Sequence, residues 1–131
     1  MPNKKIILID DEPDIRLSVK QILEEQGYHV VTLENGREFF KMLREGEKPH
    51  LVLLDVMMPE MSGWEIQRRL EANPIWKNIP VIFLTARATE TAVDMCKRYG
   101  DDYIKKPFDI NSLIKSIKIV LQTRRRYAAK L

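Results

Sequence analysis

Three times along this chain four apolar residues follow one another without a polar break, and each run stops at an acid or a hydroxyl. The runs are Ile6-Ile7-Leu8-Ile9 before Asp10, Leu51-Val52-Leu53-Leu54 before Asp55, and Val81-Ile82-Phe83-Leu84 before Thr85. A short run with no alternation suits a strand covered on both faces, as in a parallel sheet packed between two layers of helices. A strand with one wet face would carry a polar residue at every second position.

The segments between these runs carry helical spacing. Ile15, Val19, Ile22 and Leu23 recur between Pro13, near the start of a first helix, and Gly27, where it would end. Val30, Val31 and Leu33 form a second short strand, and Phe39, Phe40 and Leu43 mark a short helix after Gly36. Ser62-Gly63-Trp64-Glu65 has the Ser-x-x-Glu form of a capping box and predicts a helix to about Asn73. A helix from about Glu90 to Tyr99 ends at Gly100, and Tyr103 and Ile104 begin a fifth strand. Leu113, Ile114, Ile117, Val120 and Leu121 line one stripe of a last helix. Five strands alternating with five helices predict an α/β architecture with a parallel sheet, because parallel neighbours need crossover connections and those are almost always right-handed.

A chain of 131 residues is the size of one domain. Its net charge of +3 is a property of the end of the chain. Arg124, Arg125, Arg126 and Lys130 stand there without an acid, which leaves 18 basic residues against 19 acidic ones in the first 123. We therefore expect a domain over residues 1–123 and a basic tail, or the start of a linker, over 124–131. With no basic stripe across the body and no reading helix, direct nucleic-acid binding is not expected. The single cysteine, Cys96, excludes an intrachain disulfide and suits a reduced, cytoplasmic setting. Ile6 to Ile9 is too short for the core of a signal peptide, and no stretch approaches the ~20 apolar residues of a membrane helix.

In an open parallel sheet the carboxyl ends of the strands share one edge, and ligands bind there, where the strand order reverses. That edge would gather Asp10-Asp11-Glu12, Asp55, Thr85 and, after the fifth strand, Lys105-Lys106-Pro107. Each has an ordinary use alone, since Asp commonly caps a helix and Thr commonly finishes a strand. Acid, acid, hydroxyl and amine on four separate strand ends make a less ordinary set. Carboxylates converging there would repel by about 4 kcal/mol per pair at about 4 Å and an effective dielectric near 20. Either one carboxyl keeps its proton or a cation binds. Oxygen ligands without His or Cys favour a hard ion such as Mg²⁺. His29 and His50 are expected away from the cleft, as surface or packing residues.

At these residues the chain resembles the receiver domain of two-component response regulators, from Lys5 to about Thr123. The matching pieces are Ile9-Asp10-Asp11-Glu12, Leu53-Leu54-Asp55-Val56-Met57-Met58-Pro59-Glu60-Met61-Ser62-Gly63, Leu84-Thr85-Ala86 and Asp101-Asp102-Tyr103-Ile104-Lys105-Lys106-Pro107-Phe108. The resemblance implies a flavodoxin-like, doubly wound sheet of order 2-1-3-4-5 with five helices. It implies a phosphorylation-dependent signalling switch in which Asp55 accepts a phosphoryl group from a sensor histidine kinase or a histidine phosphotransfer protein. Asp11, Asp55 and the backbone carbonyl of Met57 would hold Mg²⁺ (or Mn²⁺), with Asp10 on a metal-bound water. Lys106, the lysine directly before proline, would pair with the acceptor carboxylate and then with the phosphoryl group, leaving Lys105 solvated. Thr85 and Tyr103 match the family's switch pair. Met57 and Arg87 would tune the phosphoryl lifetime, and an apolar and a cationic side chain there predict slow autodephosphorylation. The chain would not be an enzyme with turnover, catalysing only its own phosphotransfer and slow dephosphorylation. Its output face would be the fourth helix, fifth strand and fifth helix, acting on an output domain or protein, or serving a homodimer. One departure stands out: Gly100-Asp101-Asp102 lacks the small residue that the family usually places after the glycine.

Two rival readings fit less well. A haloacid dehalogenase type phosphatase wants a second Asp two residues after the nucleophile, where this chain has Met57. A receiver-like module that has lost phosphorylation should lack a cleft residue, and none is missing. No glycine-rich nucleotide-binding loop is present.

Overall fold

The computed structural model describes residues 4–86 and 89–130, with side chains through Thr123. Strands β1 (Lys5–Ile9), β2 (His29–Leu33), β3 (Leu51–Asp55), β4 (Val81–Thr85) and β5 (Asp102–Lys105) alternate with helices α1 (Pro13–Glu25), α2 (Gly36–Arg44), α3 (Gly63–Glu71), α4 (Glu90–Tyr99) and α5 (Ile110–Lys130). All neighbours pair parallel, in the order β2-β1-β3-β4-β5. This is the flavodoxin-like doubly wound sheet expected from the sequence.

The unbroken apolar runs are explained by the two cores. Ile6, Leu8, Leu51, Leu53, Ile82 and Leu84 face α1 and α5 on one side of the sheet. The alternate residues Ile7, Ile9, Val52, Leu54, Val81 and Phe83 face α2, α3 and α4 on the other. Every residue of these three runs is fully buried, so no position could carry a polar side chain without a partner. Phe39, Phe40 and Leu43 from α2, with Ile66 and Leu70 from α3, fill the second core, whereas α4 contributes a single fully buried side chain, Cys96.

Several boundaries differ from the sequence reading. β2 and β5 each begin one residue earlier, at His29 and Asp102. α3 stops at Glu71, and Asn73 instead organises the next turn, its Oδ1 accepting from the Ile75 and Trp76 amides at 2.8 and 3.2 Å. That is the usual competition of an Asn side chain with the helix for backbone donors. At the start of α3, Ser62 Oγ accepts from the Glu65 amide at 3.3 Å, while the Glu65 carboxylate lies 3.4 Å from Arg69 Nη2. The backbone of α5 runs on through the basic segment to Lys130, so residues 124–130 continue the last helix. His50 lies away from the site, its Nδ1 accepting from the Lys5 amide at 2.9 Å.

Candidate functional site

The chain leaves β1 toward β2 on one side and returns to β3 on the other, so the strand order reverses between β1 and β3. Asp10 follows the last residue of β1 and Asp55 is the last residue of β3, which puts both carboxylates at the mouth of that crevice. Asp10, Asp11, Glu12 and Asp55 each offer an oxygen, and these oxygens lie within 4.8 Å of one another. Asp10 is fully buried and Asp55 is 4% exposed, while Asp11 and Glu12 face solvent.

Local backbone geometry holds the cluster in place. Asp10 Oδ1 accepts from the Glu12 amide at 2.9 Å, and Asp55 Oδ1 accepts from the Met57 amide at 3.2 Å. Arg16 Nη1 reaches back from α1 to the Asp10 carbonyl at 2.7 Å. The turn after β3 is closed by the Gly63 amide donating to the Val56 carbonyl at 2.9 Å. A Cβ on Gly63 would stand 2.4 Å from the Asp55 carbonyl oxygen, so only glycine lets α3 start this close to the strand end.

Lys106 enters from the opposite wall. Its amide donates to the Thr85 carbonyl at 2.7 Å, its bond to Pro107 is cis, and its side chain is 8% exposed. The ammonium lies 2.7 Å from Asp10 Oδ2, 3.3 Å from Glu12 Oε1 and 3.5 Å from Asp55 Oδ2. Lys105 points to solvent. Thr85 is 1% exposed at the end of β4 and pairs in register with Lys105.

The electrostatics follow from this crowding. Burial, then the neighbouring Asp10 charge, push the Asp55 carboxyl up to about 7, against the opposing pull of Lys106 and the Met57 amide. Burial alone would lower Lys106, but the bond to Asp10 and the charges of Asp10, Asp55 and Glu12 outweigh it and hold the ammonium above its ordinary range. Asp10 Oδ2 is buried and its close neighbour is the Lys106 ammonium at 2.7 Å. A crowded set of carboxylate oxygens without a His or Cys ligand fits a hard divalent cation.

Met57 is half exposed, beside Asp55. Tyr103 is partly buried, opposite Phe83 in the β4–β5 register, and packs against the second core. The short connection before β5 is tied down by Asp101, whose amide donates to the Val81 carbonyl at 2.8 Å and whose Oδ2 accepts from the Val81 amide at 2.8 Å. Arg87 lies outside the described residues. Glu12 belongs to the cluster although the sequence reading gave it no role. The available signal was its place in the acidic triplet after β1.

Residues 6–118 match the family model of the response regulator receiver domain. The chain is 37% identical over 123 residues to the phosphate regulon transcriptional regulatory protein PhoB of Pseudomonas aeruginosa, covering 93% of this chain and 53% of that protein. It is 36% identical over 118 residues to protein PilH of the same organism, covering 89% of this chain and 97% of PilH. The chain thus spans about half the length of the transcriptional regulators it matches and nearly all of PilH. Among solved structures, the response regulator protein TrrA from Thermotoga maritima, in complex with Mg(2+)-BeF, superposes with a TM-score of 0.78 at 35% identity, over 89% of this chain and 98% of that one.

Proposed function

The chain belongs to the response regulator receiver domain family, whose members act in phosphorylation-dependent signalling, and from that premise we propose that Asp55 is its phosphoacceptor, charged by a sensor histidine kinase or a histidine phosphotransfer protein. The observation that carries this reading is the buried Asp55 carboxylate facing the Lys106 ammonium at 3.5 Å inside a cluster of acids.

In the transfer, an Asp55 carboxylate oxygen forms a bond to phosphorus as the bond from phosphorus to the donor's imidazole nitrogen breaks, and the imidazole leaves with that electron pair. The phosphoryl group spreads negative charge over its oxygens in flight, so positioned cations and donors do most of the work. Lys106 needs only a short displacement from Asp10 and Asp55 to meet a phosphoryl oxygen. The Thr85 hydroxyl, at the neighbouring strand end, is the group that would close on another. Asp11, Asp55 and the Met57 carbonyl would hold Mg²⁺ (or Mn²⁺), with Asp10 on a bound water. The ion supplies charge neutralisation for the carboxylates and the incoming phosphoryl oxygens.

Thr85 ends β4 and Tyr103 lies on the neighbouring β5, opposite Phe83, and movement of the hydroxyl toward a phosphoryl group would alter the surface made by α4, β5 and α5. That surface would address an output domain, another protein or a second copy of the chain. Its periphery carries the half-exposed apolar residues Ile110 and Ile119. Met57 beside the acceptor is apolar and orients no attacking water, and Arg87, two residues after Thr85 in the sequence, would add no base, which supports a long-lived phosphoryl group and no multiple turnover.

Intact mass after incubation with acetyl phosphate and Mg²⁺ tests the assignment. Wild type should gain one phosphoryl group and Asp55→Asn none. An equal gain in both proteins, or no gain in wild type, refutes it.

A further inference from the structure

Gln67 is the one uncharged amide on α3 that the fold buries, at 8% exposure. Its Nε2 donates to the Tyr99 carbonyl in the last turn of α4 and lies 3.4 Å from Glu71 Oε1. Both partners are acceptors, so the amide must present its NH₂ to them, and Oε1 is left buried without a donor. The side chain therefore joins two helices with donors only and leaves its own acceptor unsatisfied.

The helix it holds is the least anchored of those on its face. Cys96 is the only buried residue of α4, against four each in α2 and α3, Gln67 among them. Two adjoining clefts of about 630 and 400 Å³ separate α4 from α3 and the β3–α3 loop, and they share Ser62, Trp64 and Met95. The larger one reaches Thr85 and Met57 at the acid cluster. By contrast the connection after α4 is fixed. Gly100 is packed so tightly that a Cβ would meet the Phe83 ring at 2.7 Å, and Asp101 is doubly bonded to Val81. α4 thus borders open space along its length, the larger cleft at its N-terminal end next to Thr85 and the smaller beside Gln67 and Tyr99, while Gly100 and Asp101, which follow it, are held in place.

We propose that Gln67 is a positioning residue for the switch: by tying the Tyr99 carbonyl to α3 it holds α4 beside the clefts, and so sets the ease with which α4 shifts when Asp55 is phosphorylated. The orphaned Oε1 keeps this tie weak, because a shift of α4 that breaks the Tyr99 bond would also open Oε1 to water. The inference rests on the phosphoacceptor reading above only for its consequence. The tie itself is a property of the unmodified chain.

The test uses the full chain and two readouts. Backbone hydrogen exchange without phosphodonor measures the hold on α4, and the initial rate of Asp55 phosphorylation by acetyl phosphate with Mg²⁺ measures the coupling. Gln67→Met keeps the volume and removes the donors. It should speed exchange in the last turn of α4 and phosphorylation by about fivefold each, the factor that one net hydrogen bond represents, while β1 and β3 exchange as in wild type. Gln67→Lys, which restores donors to Tyr99 and Glu71 and has no acceptor to orphan, should return both readouts to wild type or slower. Unchanged α4 exchange in Gln67→Met, or an equal rise in β1 and β3, overturns the tie. Faster α4 exchange with an unchanged phosphorylation rate overturns the coupling. A wild-type chain that takes no phosphoryl group defeats the phosphoacceptor reading instead, and the exchange arm still decides the contact.

Discussion

Asp55 shares a buried crevice with Asp10, and among the described residues only Lys106 brings a side-chain ammonium within 4 Å of both. A carboxyl with a folded-state value of about 7, against an ordinary 3.8, is easier to keep protonated in the folded chain than in the unfolded one. The sign follows directly: the contribution favours folding fully below pH 3.8 and is lost as pH rises toward about 7. Metal-free protein should therefore lose stability between pH 4 and pH 7, by roughly 2–4 kcal/mol from this group. Urea unfolding in EDTA at both pH values would measure it, and Asp55→Asn should remove most of the slope. Equal slopes in both proteins would assign the pH dependence elsewhere. At this scale Asp10, Asp55, Thr85 and Lys106 were legible because each ends or directly follows a strand, where direction is set by the pleat. Gln67 was not, since a polar residue four positions before Glu71 reads as a solvated helix face.

The elements hold these residues through a few close backbone approaches. Gly63 is the tightest: a Cβ there would overlap the Asp55 carbonyl at 2.4 Å and press on the Val56 Cα at 3.0 Å, both of them backbone that cannot rotate away. Gly63→Ala should destabilise the chain by about 2–4 kcal/mol and slow phosphorylation of whatever remains folded, because α3 must retreat and drag the Asp55 turn with it. Thermal unfolding and the acetyl phosphate rate would check this together. A stable variant with a normal rate would show that the turn can relax at no cost. The start of α3 was readable because Ser62 declares it by accepting from the Glu65 amide; Asn35 and Thr89 cap α2 and α4 in the same way, on the Glu38 and Ala92 amides, and the structure adds them. Helix ends were less so. Asn73 looked like the end of α3 but stands two residues beyond it, because its side chain organises the next turn.

At the scale of the molecule the two cores meet across one sheet, and the acid cluster sits where β1 and β3 emerge between them. An ion bridging those two strand ends would tie both layers together and bind only the folded chain. Mg²⁺ at about a hundred times its dissociation constant should then add about 2.7 kcal/mol of stability. Melting with Mg²⁺ and with EDTA measures the difference, and Asp11→Ala should abolish it. An unchanged midpoint in wild type would argue against an ion at this edge. The alternation of strands and helices, the double coverage of the sheet and the reactive groups that end the strands could all be read from the order of residues. Those properties are local: uninterrupted apolar runs, helical spacing and a polar residue at the end of each run follow from side-chain chemistry at short range. The folded arrangement added how near Glu12 comes to Asp10 and Asp55, how the Lys106 ammonium lies among all three, and that a buried amide on α3 reaches the end of α4. Each of those depends on distances between segments far apart in the chain, and no local pattern encodes where their side chains meet.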